Sequence, residues 1–152
     1  MEYQKITSYQ SLKSICRQCA EIGATALDFE TTSLSPRDGK VRLVSLCNKR
    51  VKEVVDFDQI GGGFRNCAKL FNKGKWIVFN VGFEARWFLD AKCSPELLDV
   101  GNLRRAIIGG GSFSLANLVQ WDLKKVMSKE QQRSDWSLPD LSQEQLDYAF
   151  KD

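Results

Sequence analysis

The stretch LDFETTSL, residues 27–34, puts two carboxylates, Asp28 and Glu30, one residue apart beside an apolar run from Ala24 to Phe29. The run reads as a buried strand. Side chains alternate along a strand, so Asp28 and Glu30 share one face while Leu27 and Phe29 take the other. Like charges this close do not both stay ionised in a dry interior without compensation. A divalent cation supplies it, and ligands built from oxygen alone favour Mg²⁺ or Mn²⁺. The alternative is an edge strand whose acids face water, and a DxE pair taken alone favours it because the pattern is so short.

The surroundings define an α/β chain. Residues 8–22 place Leu12, Ile15, Cys16, Cys19 and Ile22 on one helical stripe behind a Ser8 cap. VRLVSLCN (41–48) and VKEVVDF (51–57) read as an antiparallel hairpin. A helix through Leu70, a strand KWIVF (75–79), a helix FEARWFLDA (83–91), a strand LLDV (97–100), a helix NLRRAII and a helix after Ser114 follow. At the end, Ser142 and Gln145 form a capping box and Leu141 and Leu146 a hydrophobic staple, so a helix should start at Gln143. A hairpin beside the first strand, followed by alternating helices and strands, predicts a mixed, mostly five-stranded central sheet flanked by helices.

Composition narrows the chemistry. A length of 152 residues fits one domain with its own core, residues 1–152. There is no histidine, which excludes Ser-His and Cys-His triads, HExxH zinc sites and any imidazole base. A net charge of +3 is too small to demonstrate a nucleic-acid partner. Five cysteines, an odd number, point to reduced thiols. With no apolar run of membrane-spanning length and no signal-peptide core, a cytoplasmic protein without membrane attachment is expected.

Two further acidic signals stand downstream. FNVGFEARWF places Glu84 in the first turn of a helix, just after KWIVF. YAFKD places Tyr148 and Asp152 one helical turn apart. Each alone has an ordinary reading: a first-turn glutamate serves the helix dipole, and Tyr-x-x-x-Asp is a solvated face.

Together and in this order they resemble the DEDD 3′→5′ exonucleases, in the tyrosine-bearing branch. The first motif holds Asp28 and Glu30. The second holds Asn80, Phe83 and Glu84, where the family usually has Asn-x-x-Phe-Asp. The third is Tyr148-Ala-Phe-Lys-Asp152. Lys129, Asp135, Trp136, Pro139, Leu141 and Gln145 fall at ribonuclease D-like spacing before it. The missing histidine agrees, since the sister branch carries one where Tyr148 stands.

The resemblance implies a ribonuclease H-like fold and two-metal hydrolysis of phosphodiester bonds at single-stranded 3′ ends of DNA or RNA. No cofactor is implied beyond two divalent cations, Mg²⁺ or Mn²⁺. Asp28 would bridge both ions, Glu30 and Asp152 would complete the water-activating site, and Glu84 would hold the second ion through its water shell. Tyr148 would orient the attacking water. Thr31 and Leu34 match contacts to the terminal nucleotide, with Leu34 as a wedge; Asn80, Phe83 and Lys129 match positions along the substrate.

Two departures qualify the match. Glu84 replaces the usual aspartate and moves the carboxylate by roughly 1 Å, a misplacement that can cost about 100-fold in rate. Relatives continue past the position of Asp152, so the chain is either a segment of a longer polypeptide or a minimal version with a loose last ligand. Both departures motivate a rival reading, a catalytically impaired nucleic-acid-binding or adaptor protein that keeps the fold. Cys16-x-x-Cys19 lies on the apolar stripe and reads as core, and the glycine triplets at 61–63 and 109–111 lack the GK[ST] of a phosphate loop.

Overall fold

The computed structural model describes residues 3–111, 114–127 and 134–151. In chain order the elements are β1 (Gln4–Ile6), α1 (Tyr9–Ile22), β2 (Ala24–Thr31), β3 (Val41–Cys47), β4 (Lys52–Asp56), α2 (Gly63–Cys67), β5 (Lys75–Val78), α3 (Val81–Asp90), β6 (Glu96–Asp99), α4 (Val100–Ile108), α5 (Leu115–Leu123) and α6 (Gln143–Lys151). The sheet has six strands in the order β1-β4-β3-β2-β5-β6, one more than expected. The added strand is β1, which pairs parallel with β4 at the edge. Only Ile6 of its three residues is buried, so it carries no alternation that a sequence reading can detect.

β2 lies at the centre of this mixed sheet, antiparallel to β3 on one side and parallel to β5 on the other. Its parallel pairing brings the carboxyl ends of β2 and β5 to the same sheet edge, where ligands bind in open α/β sheets. Leu27 and Phe29 point into the main core, which they share with Leu12, Cys16 and Cys19 of α1, Phe64 of α2, and Trp87 and Phe88 of α3. A chain of ring contacts runs through it, Phe29–Phe64 at 5.2 Å and Phe64–Phe88 at 5.4 Å. Cys16 and Cys19 are therefore packing residues, and burial pushes the Cys16 thiol up, away from reactive thiolate.

A second, smaller core lies on the opposite sheet face. There Leu43 of β3 and Val54 of β4 pack against Trp136 and against Leu146, Ala149 and Phe150 of α6. The end of the chain is thus laid over the face that carries Asp28 and Glu30. The capping box forms as expected: Gln145 N donates to Ser142 Oγ at 3.2 Å and Ser142 N donates to Gln145 Oε1 at 3.0 Å. Leu141 packs against the same cluster as Leu146, which completes the staple.

The helix expected to run through Leu70 is instead split, α2 giving way to a 3-10 helix over Ala68–Lys73. α3 begins earlier than expected, at Val81. Asn80 precedes it in the left-handed region, φ 67°, and its side chain makes no capping bond. Asp99, at the end of β6, caps it instead by accepting Val81 N at 2.9 Å. A cap supplied by a distant strand is invisible in local sequence. Among the described residues, no helix is long and apolar enough to cross a membrane.

Candidate active site

Asp28 and Glu30 are half-buried on β2, on the face turned toward α6. Asp28 pairs with Ser45 and Glu30 with Leu43 on β3, and the register shifts between Glu30 and Thr31. Across the shift one step on β2 takes two on β3, so Arg42 is the extra residue of a β-bulge, a device common beside active sites. Ser45 Oγ donates to the carbonyl of Ala149, which fastens α6 directly opposite Asp28. Tyr148 is half-buried on this helix, with its ring centroid 6.5 Å from that of Trp136.

Glu84 is the most deeply buried of the expected acids that the structure describes. It lies one turn into α3, 2% exposed, and its Oε2 is buried with no hydrogen-bond partner among the described residues. Burial pushes its carboxyl up to about 8; its own backbone N–H opposes this, while the charges of Asp28 and Asp99 push it further. Asp28 and Glu84, from β2 and α3, therefore feel each other's field as the strand order implies.

Asp99 was not singled out from sequence as a site neighbour. Burial raises its carboxyl, but backbone N–H groups of Val81, Asn102, Gly101 and Asn80 outweigh that and hold it below the usual range. It is a fixed negative charge beside Glu84, committed to capping both α3 and α4. Its only sequence signal was its position at a strand end.

The remaining expected residues flank this edge. Leu34 is 76% exposed on a braced loop: Thr31 Oγ1 donates to Ser33 O at 2.7 Å, and Arg86 Nη1 to Leu34 O at 3.2 Å. Phe83 is half-buried beneath the Arg86 guanidinium, which lies 5.8 Å from its ring centroid. Asn80 is exposed at the mouth of α3. Asp152 and Lys129 lie outside the described residues. Among the described residues, no group of three or more acids or thiols is already gathered to hold an ion. A cleft of about 430 Å³ lies elsewhere, lined by Lys40, Asp58, Arg65, Trp87 and Asp90, and none of Asp28, Glu30, Glu84 or Tyr148 contributes to it.

The donor set fits hard divalent cations. It consists of oxygens, and Glu84 presents a buried carboxyl oxygen with no partner among the described residues. A cation would remove both the desolvation penalty and the repulsion from Asp28 and Asp99.

A mixed sheet with acids on the central strand and on the helix that follows its parallel neighbour, covered by a late helix, is the architecture of ribonuclease H-like exonuclease domains. The chain belongs to the 3′-5′ exonuclease family, whose pattern it matches over residues 3–152. It is 26% identical over 152 residues to DNA polymerase I of Aquifex aeolicus (strain VF5), aligning along its whole length with 25% of that polymerase. The chain thus spans about a quarter of the length of this curated relative. Among solved structures, Escherichia coli RNase D, an exoribonuclease involved in structured RNA processing, superimposes with a TM-score of 0.84 at 23% identity, over 100% of this chain and 41% of that one. The Aedes aegypti Nibbler EXO domain does so with a TM-score of 0.82 at 20% identity, over 98% of this chain and 81% of that one. At these identities the structural likenesses establish the fold.

Proposed function

We propose that the domain formed by residues 1–152 is a metal-dependent 3′→5′ exonuclease that removes nucleotides from single-stranded 3′ ends. Family membership supports the reaction class, and Glu84 carries the metal requirement. Its carboxyl is buried, pushed up to about 8 chiefly by that burial, and has one oxygen without a partner among the described residues, a setting that a bound cation would relieve.

In this reading Asp28, Glu30 and Asp152 hold one ion and Asp28 and Glu84 hold the second. Bound as a pair, divalent ions supply a nucleophilic hydroxide at neutral pH and stabilise charge on the leaving 3′ oxygen. The side chains do the rest. Tyr148, on a helix tied to β3 through Ser45, directs its hydroxyl to orient the attacking water by hydrogen bonding. Thr31 and the exposed Leu34 receive the terminal nucleotide, with Leu34 separating it from its neighbour. Asn80, Phe83 and Lys129 line the incoming strand. A cytoplasmic setting fits the five free cysteines.

The test is degradation of 5′-labelled single-stranded DNA and RNA oligonucleotides with Mg²⁺, Mn²⁺ or EDTA. Ladders shortening from the 3′ end, dependent on either ion and stopped by EDTA, are expected. Cleavage that persists in EDTA, or products shortened from the 5′ end, contradicts the proposal. Tight binding without cleavage in either ion would identify a binding module instead.

A further inference from the structure

Arg42 is the second residue of an apolar strand, and it is 1% exposed. The bulge beside Glu30 explains how it is accommodated: as the extra residue of β3, it turns toward the face that bears α6. Its Nε donates to Asp56 Oδ1 at 3.0 Å, and Asp56 is itself fully buried. Burial raises the Asp56 carboxyl, but hydrogen bonds from Arg42 and Lys5 outweigh it and keep the carboxyl below the usual range. Nη2 also reaches Asp56 Oδ2 at 3.4 Å and Nη1 lies 3.1 Å from Asp58 Oδ2, so the fork is anchored on β4 and the turn after it while it reaches outward. Nη1 donates to the carbonyl of Leu138 and Nη2 to that of Pro139 at 3.0 Å. These two carbonyls belong to the segment that leads into the Ser142 cap of α6. Gln145 ties the same segment to the helix from its other side, donating to Asp135 O at 3.2 Å.

We propose that Arg42 is a positioning residue for the exonuclease reaction: from the bulge opposite the Glu30–Thr31 step, it sets where α6 enters and hence where Tyr148 stands relative to Asp28 and Glu30. This rests on the assignment of Tyr148 and Asp152 to the site. The geometry is that of a fixed strut. One end is held by a buried carboxylate on β4, across β3 from the strand that carries Asp28 and Glu30, and the other grips backbone of the segment that leads into α6. Arginine is required because a planar fork reaches a carboxylate and two carbonyls at once, which a single ammonium does not.

The test compares Arg42→Lys and Arg42→Gln with the unaltered chain. Lys5 Nζ lies 2.9 Å from Asp56 Oδ2, so Asp56 keeps a partner in both variants. Expected are folded proteins whose turnover falls roughly ten- to a hundredfold, the scale of an ångström-level misplacement. The Mn²⁺ concentration for half-maximal rate should rise, with KM for the oligonucleotide unchanged, and Lys should rescue less than half of the loss. Amide exchange should quicken across residues 143–151 while β3 and β4 remain protected, a readout that needs no activity. Folded variants with unchanged turnover and unchanged exchange in α6 overturn the proposal. So does global unfolding of both variants, which would make Arg42 a residue of core stability alone. An unaltered chain that is inactive but still shows loosened α6 exchange on substitution would sink the exonuclease reading and leave the strut standing.

Discussion

Asp28→Asn should lower turnover at saturating Mg²⁺ by roughly a thousandfold or more while leaving the protein folded. The size follows from the proposed role: a carboxylate shared by two ions would contribute several kcal/mol of transition-state stabilisation, and each 1.36 kcal/mol is a factor of about ten. The fold survives because Asp28 is half-buried beside the second core, and the amide keeps its shape on the strand. A second consequence can be measured without substrate. The Asp28 charge is one of the causes that push the Glu84 carboxyl up, so the variant should titrate Glu84 closer to the ordinary carboxylate range. Carboxyl titration by NMR in EDTA reads this directly. A variant that retains even a tenth of wild-type turnover removes Asp28 from the reaction.

Glu84→Gln should separate stability from activity. In the metal-free protein the Glu84 carboxyl stands at about 8, against an ordinary value of 4.5. Below the unfolded value both states hold the proton and nothing is lost. As pH rises between the two values, the unfolded chain releases its proton and the folded chain does not, so stability falls; above about 8 the loss is complete. The penalty at pH 8 is on the order of 4 kcal/mol. Glutamine avoids it, less the cost of about 1–3 kcal/mol for burying an incompletely bonded amide. In EDTA at pH 8 the variant should melt several degrees higher than the parent, roughly 2–4 °C per kcal/mol for a chain of this size, and the advantage should vanish near pH 5. Activity should collapse, and Mn²⁺ should raise the melting point of the variant far less than that of the parent. Equal melting of the two proteins at pH 8 without metal would show that Glu84 is compensated by protein groups.

Much of this could be read from local signals. The β3–β4 hairpin, the Ser8 and Ser114 caps and the capping box at Ser142 each rest on residues within a few positions of one another, and all stand as expected. The pairing of Asp28 with Glu30 on one face follows from strand period alone. The site as an assembly was legible only because three short motifs in one order resemble a family; physics ties no single one of them to another across more than a hundred residues. What stayed hidden is long-range. β1 exists because β4 offers an edge to pair with. Asp99 caps a helix that begins 18 positions before it. Arg42 is buried because a bulge redirects it, and VRLVSLC gives no sign of a bulge.

The junction between the two extremities of the described chain bears on how the enzyme is made. Tyr3 stacks on Phe150 at 5.0 Å, its hydroxyl donates to Asp147 at 3.2 Å, and Gln143 Nε2 donates to that hydroxyl at 2.7 Å. Translation delivers the N-terminal side first, and folding proceeds in that direction where it can. Asp28, Glu30 and Glu84 thus leave the ribosome well ahead of the helix that bears Tyr148. Until that helix arrives, Leu43 and Val54 are an uncovered greasy strip on a sheet already formed. On the proposed reading a nascent chain still lacking this helix lacks Tyr148 as well, and its uncovered strip makes it most prone to clumping until the helix docks.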